Sequence, residues 1–146
     1  SISHAFSAFY RIPHGLGNAI VLPYVLEYSK ENIIDPLAEL ASAAGLNNEN
    51  SNKNSNANNS NRELADKFIA YIHELNKALD IPTHLAALNA IDIPKLAALT
   101  LKEAHGIYAV PKYMSQKDCE KVIGKMLAIR KTVSSTGNTT ASVELT

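Results

Sequence analysis

This sequence predicts an all-α domain, and three observations predict it. Apolar residues recur at helical spacing in several segments, most clearly Leu64, Phe68, Ile69, Ile72, Leu75 and Leu79. Proline, glycine and asparagine punctuate the chain between those segments, at Pro13, Asp35-Pro36, Gly45, Pro82, Asn89 and Pro94. No stretch alternates apolar and polar residues as a strand would, and no heptad pattern or internal repeat occurs.

Taken in order, residues 1–10 read as the last turns of a helix with Ile2, Phe6 and Phe9 on one side, ended by Arg11-Ile12-Pro13. A second helix, about Gly15 to Tyr28, is apolar almost all round through Ala19, Ile20, Leu22, Val25 and Leu26, the pattern of a buried helix. Pro23 inside it should kink it, and Gly15 and Gly17 allow a close backbone approach. Asp35-Pro36 opens a third helix with proline at its first position, and Gly45 stops it. Residues 47–61 are mainly Asn and Ser, a tract expected to be a disordered insert. A fourth helix spans about Arg62 to Leu79. Pro82 opens a short helix that Asn89 closes in a left-handed conformation, and Asp92-Ile93-Pro94 starts the next, with Leu96, Leu99 and Ala104 inward. Residues 106–113 read as extended. Ser115 and Asp118 then form a capping-box-like start to a last helix carrying Val122, Ile123, Met126 and Leu127. Residues 132–146 are Ser/Thr-rich and expected to form a flexible tail, leaving residues 1–131 as one helical domain.

Composition narrows the function classes. Fourteen basic residues balance fourteen acidic ones, and no basic patch is interleaved with aromatics, so neither nucleic acid nor an anionic membrane is an expected partner. No apolar run is long enough for a membrane span, and no signal peptide is visible. Cys119 is the single cysteine, which rules out an internal disulfide or a cysteine-based zinc site and suits a reducing compartment, the cytoplasm. The chain does not start with methionine, which suggests upstream residues.

Chemistry concentrates at the start. His4 and His14 flank a helix–loop–helix corner, so both rings could face one cavity, and neutral imidazoles ligate iron, zinc or nickel. Two ligands are fewer than the three or four a metal normally takes. His73 falls on a polar helix face and reads as solvated, and His84 as a surface residue. His105 lies at a helix end, where it can meet the last carbonyls, and Cys119 reads as a small buried hydrophobe. No glycine-rich phosphate loop, H-E-x-x-H or G-x-S-x-G occurs, so a nucleotide has no obvious home here.

His4, then Pro13-His14-Gly15, Asn18-Ala19 and Leu22-Pro23, resembles the signature of the iron-dependent (group III) alcohol dehydrogenases. Leu79-Asp80-Ile81-Pro82, Glu103-Ala104-His105 and Tyr108-Ala109-Val110-Pro111 are similar to later, less specific segments of that family. The likeness covers about residues 1–127, apart from the Asn-rich insert. It implies the all-helical C-terminal domain of a dehydroquinate synthase-like fold, with the N-terminal nucleotide-binding domain absent from this chain. It also implies a divalent metal, Fe2+ with Zn2+ as the alternative, held by one Asp and three His, and NAD or NADP bound mainly by the missing domain.

Position by position, the resemblance makes His14 a metal ligand and His4 a catalytic cleft histidine beside the nicotinamide and substrate. The preceding ligand would stand four residues before His4, outside this chain. Ser7 stands where the family usually has Gly, and Asn89 where it often has Gly. The implied activity is interconversion of a primary alcohol or diol and an aldehyde, with a small alcohol or aldehyde as substrate and a homo-oligomeric full-length enzyme. Two other readings stand beside it: a non-catalytic helical binding module that keeps the family's shape, and a metal-binding module using His4 and His14 directly.

Overall fold

The computed structural model describes residues 1–47 and 57–128, and within them the chain is helical with no β-strand. The helices are α1 (Ile2–Tyr10), α2 (His14–Ser29), α3 (Ile34–Ala43), α4 (Ala57–Ala78), α5 (Ile93–Ile107) and α6 (Gln116–Gly124), with single 3-10 turns at Lys30–Asn32 and Ala90–Asp92.

α1 buries Ile2, Ala5 and Phe6, which lie on one side at spacings of three and four. It ends where Arg11 enters the left-handed region at φ 53°, its N–H donating to the Ser7 carbonyl at 3.0 Å. Three residues later, at His14, α2 begins. At Gly17 of α2 a Cβ would lie 3.5 Å from the Ser3 Cβ of α1, an ordinary van der Waals contact, so the two helices touch there without requiring glycine. Gly15 has open space around it.

Pro23 sits buried inside the unbroken helix α2. Its missing N–H leaves the Ala19 carbonyl, four residues back, without its helical donor. Asn76 of α4 fills that vacancy: its side-chain amide donates to the Ala19 carbonyl at 2.8 Å. The proline thus creates a backbone acceptor that ties α2 to α4.

α3 starts at Ile34, so Pro36 occupies its third position rather than its first. It ends in a Schellman arrangement: Gly45 is at φ +73°, the Leu46 N–H reaches the Ala41 carbonyl at 2.9 Å, and the Gly45 N–H reaches Ser42 at 3.0 Å. α4 begins at Ala57, so the part of the Asn-rich tract from 57 to 61 is helical rather than disordered. Asn61 even serves α3, its amide donating to Asp35 at 2.9 Å. The rest of that tract, 48–56, and the 132–146 tail lie outside the described residues. Along α4 the stripe is buried only in its first half, around Ala65 and Ile69; Leu75 and Leu79 are exposed.

Residues 82–89 form no helix. Their backbone groups are claimed by distant partners instead. Tyr24 donates its hydroxyl to the Thr83 carbonyl at 2.7 Å, Leu85 N–H donates to Met126 at 2.8 Å, and Asn89 N–H donates to the Tyr10 hydroxyl at 3.3 Å. Leu85 and Leu88 are buried by this arrangement, and Leu85 makes an isolated parallel bridge with Leu127. Asn89 is extended and caps the following 3-10 turn. The left-handed residue is Asp80, at φ 54°, which closes α4.

α5 buries Leu96, Ala97, Thr100 and Ala104, leaving Leu99 exposed, and it runs to Ile107, so the extended segment starts only at Tyr108. α6 is capped by Ser115, whose hydroxyl accepts from the Asp118 N–H at 3.2 Å and donates to the Asp118 carboxylate at 2.7 Å. That bond holds the Asp118 carboxyl below its ordinary range. α6 stops at Gly124, and Met126 reaches the core from the turn beyond it. The main core packs Ile2, Phe6, Ile20, Tyr24, Leu88, Leu96, Val122 and Ile123 together from α1, α2, α5, α6 and the 82–89 segment. Cys119 lies fully buried in it, and burial pushes its thiol up to about 12, an inert apolar cysteine as its sequence context suggests.

Candidate functional site

The tight turn between α1 and α2 decides where the two N-terminal histidines meet. His4 is in the first turn of α1 and His14 is the first residue of α2. The Arg11 left-handed cap folds α2 back beside α1, and the two rings come to 4.8 Å between centroids, tilted by 34°. Both side chains are open to solvent.

A third side chain reaches this corner from far along the chain. His4 Nδ1 lies 2.5 Å from Glu103 Oε1, on the second half of α5. The Tyr108 hydroxyl donates to the same oxygen at 3.3 Å. The His4 hydrogen bond holds the Glu103 carboxyl below the usual carboxylate range. Spacing gave no sign of this contact, since 99 residues separate the pair. The one available signal was weak: Glu103 is the only acidic residue in α5.

The remaining histidines lie elsewhere. His73 is engaged rather than solvated, 3.1 Å from Glu27 and edge-on to the Tyr24 ring, because α4 turns this part of its polar face toward α2. His84 is exposed. His105 stacks on Tyr113 at 4.4 Å between centroids, an aromatic contact in place of the expected one with helix-end carbonyls.

Adjacent to the histidine corner runs an open groove of about 420 Å³ between α1, α2, α5 and residues 110–114. Its lining is mainly apolar, including Ile2, Val21, Leu22, Val25 and Leu101. Thr100 also lines it, with a buried hydroxyl that has no hydrogen-bond partner among the described residues.

Two neighbouring imidazoles are suitable donors for a divalent transition metal. Among the described residues, no group of three or more His, Cys, Asp or Glu side chains is arranged to hold a metal ion. The donor chemistry therefore fits a metal, while the number of donors covers only part of a coordination shell. No helix among the described residues is long and apolar enough to cross a membrane.

A family model described as "Fe-containing alcohol dehydrogenase family, C-terminal" matches residues 1–127. The NADPH-dependent butanol dehydrogenase of Clostridium saccharobutylicum is 38% identical over 85 residues, covering 58% of this chain and 19% of that protein. The 1,3-propanediol dehydrogenase of Klebsiella pneumoniae is 33% identical over 107 residues, covering 72% of this chain and 26% of that protein. A crystal structure of a 1,3-propanediol oxidoreductase superposes with a TM-score of 0.74 at 24% identity, covering 86% of this chain and 31% of that one, which shows the shared fold. The chain thus spans about a fifth to a quarter of the length of these two curated relatives. The family match over residues 1–127 and the shared helical fold place the chain in the Fe-containing alcohol dehydrogenase family, as its C-terminal helical portion.

Proposed function

We propose that this chain is the helical part of a metal-dependent, NAD(P)-linked alcohol dehydrogenase whose complete form interconverts a primary alcohol or diol and an aldehyde. The observation that carries the reading is the His4–His14 pair, 4.8 Å apart at the α1–α2 corner of a chain from this family. Relatives named for butanol, 1,3-propanediol and lactaldehyde support small alcohols and aldehydes as the substrate class, and one named for NADPH supports a nicotinamide cofactor. Iron is the proposed native metal, with zinc as a substitute. Residues 1–131 form the helical domain in this reading, with 132–146 as a tail, and the nucleotide-binding domain is supplied by the rest of the enzyme. The setting is the cytoplasm and the complete enzyme is a homo-oligomer.

When bound, the metal supplies Lewis-acid polarisation of the reacting oxygen, and the nicotinamide carries the hydride. His14 holds the metal through an imidazole nitrogen, as one ligand among several. His4 takes the proton released when the alcohol is oxidised and returns it when the aldehyde is reduced.

By itself this chain should not reduce an aldehyde with NADH and ferrous iron, because it brings one proposed ligand and no nucleotide site. Metal-dependent turnover by the isolated chain would overturn that expectation. The positive test replaces the matched C-terminal segment of the Klebsiella enzyme with residues 1–127. The chimera should bind iron and turn over, His14→Ala should lose the metal by elemental analysis, and His4→Ala should keep the metal while slowing turnover by roughly 10²–10⁴-fold. A His14→Ala chimera with full metal content would remove His14 from the ligand set. A folded but inactive wild-type chimera would favour a non-catalytic module instead.

A further inference from the structure

We propose that Glu103 is a positioning residue that fixes the tautomer and the aim of His4. The role rests on reading His4 as the proton-transfer group, and the geometry that supports it is independent of any metal. His4 projects from the first turn of α1, where little packing restrains its ring: nearly half of its side chain remains exposed. Two neighbours supply the missing restraint. On one side, the His14 ring lies against it at 4.8 Å. On the other, Glu103 Oε1 lies 2.5 Å from Nδ1, and the carboxylate is itself steadied by the Tyr108 hydroxyl on the same oxygen.

The chemical consequence follows from the inventory of an imidazole. A neutral ring has one N–H and one lone pair. The Glu103 carboxylate is acceptor-only, so it selects Nδ1–H and leaves the lone pair on Nε2. Nε2 is then the atom able to accept a proton. A hydrogen-bond partner on the far nitrogen setting the working nitrogen is a general device of catalytic and ligating histidines. Among the described residues no other carboxylate lies within hydrogen-bond distance of His4, so loss of Glu103 should return the ring to the Nε2–H form that unrestrained histidines favour.

The test reads the tautomer directly. In the chain labelled with ¹⁵N-histidine, two-bond nitrogen–carbon-bound-proton correlations above the histidine titration range distinguish Nδ1–H from Nε2–H, with the His4 signals identified by their loss in His4→Asn. The wild-type chain should show Nδ1–H as the major form at His4. Glu103→Gln keeps an acceptor oxygen and should retain it, whereas Glu103→Leu should shift most of the population to Nε2–H while leaving the other four histidine signals in place. A wild-type His4 that is mainly Nε2–H overturns the proposal whatever the variants do, and so does a Glu103→Leu spectrum identical to wild type. In the Klebsiella chimera, Glu103→Leu should lower kcat by roughly 10-fold with little change in metal content. Retained kcat would overturn the positioning role. Loss of metal from wild-type chimera, by contrast, would count against the proposed function and leave the tautomer result standing.

Discussion

The body built from α1, α2, α5 and α6 and the α3–α4 hairpin are held together by different physics. The first has a continuous apolar core in which Phe6, Leu96, Ile123 and Met126 are wholly buried. The hairpin has a small cluster of Leu37, Ala65 and Ile69, with Phe68 and Leu26 partly covering it. Its remaining ties are polar: Arg62 pairs with Glu31 through both guanidinium nitrogens at 2.6 and 2.7 Å, Lys30 with Asp66 at 2.7 Å, and His73 with Glu27 at 3.1 Å. Exposed ion pairs of this kind stabilise little, since solvent and salt screen them. The histidine corner sits wholly in the first body. The Asn-rich tract follows α3 in the sequence and runs into the first turns of α4. A site that needs a fixed geometry is thus carried by the well-packed region, and added length is carried where fewer apolar contacts depend on it.

The contrast can be broken most severely at Phe6. Phe6→Ala should cost about 3–5 kcal/mol, enough to unfold a domain of ordinary stability, read as loss of helical signal in urea. Leu37→Ala empties a buried site in the hairpin at about 2–5 kcal/mol, and amide exchange should then speed up in α3 and α4 before α1 and α2. Uniform exchange across all helices in Leu37→Ala would show that the two regions unfold as one.

Asn76→Ala tests the link between them. It leaves the Ala19 carbonyl, already deprived of a helical donor by Pro23, without its side-chain partner. A loss of about 1–3 kcal/mol is expected. Combining it with Pro23→Ala should recover part of that loss, because the restored N–H can serve Ala19 within the helix. Strict additivity in the double variant would refute the account.

The smallest effect belongs to Arg62→Ala. Hydrogen bonding to Arg62 holds the Glu31 carboxyl below its ordinary value. A carboxylate depressed on folding contributes stability that is present above its unfolded pKa and is lost as pH falls through the folded value. Both groups are at the surface, so the difference between Arg62→Ala and wild type should be barely measurable near pH 7, weaker still in high salt, and gone in acid below the Glu31 range. A large, salt-insensitive difference would mean that the pair does more for the hairpin than exposed charges normally do.

The chain's helical class, the α1–α2 break at Arg11-Ile12-Pro13, the Gly45 stop and the Ser115 cap were all legible locally, because each depends on residues within a turn of one another. So was the pair His4 and His14, since a short break between two helices brings their facing ends together whatever packs around them. What the sequence could not supply was every feature in which a distant group outbids a local one. Residues 82–89 have a helical start signal, yet Tyr10, Tyr24 and Met126 take their backbone partners. His73 belongs to a polar face that α2 happens to cover at Glu27 and Tyr24. Glu103 reaches His4 only because α5 packs against α1. The sequence by itself pointed to α1 to α6, while also pointing to a helix at 82–89 that does not form, and placed two imidazoles at one corner, because helix caps and breaks are short-range. Tertiary packing alone decided which carboxylate faces that corner, because that depends on how helices about a hundred residues apart share a core.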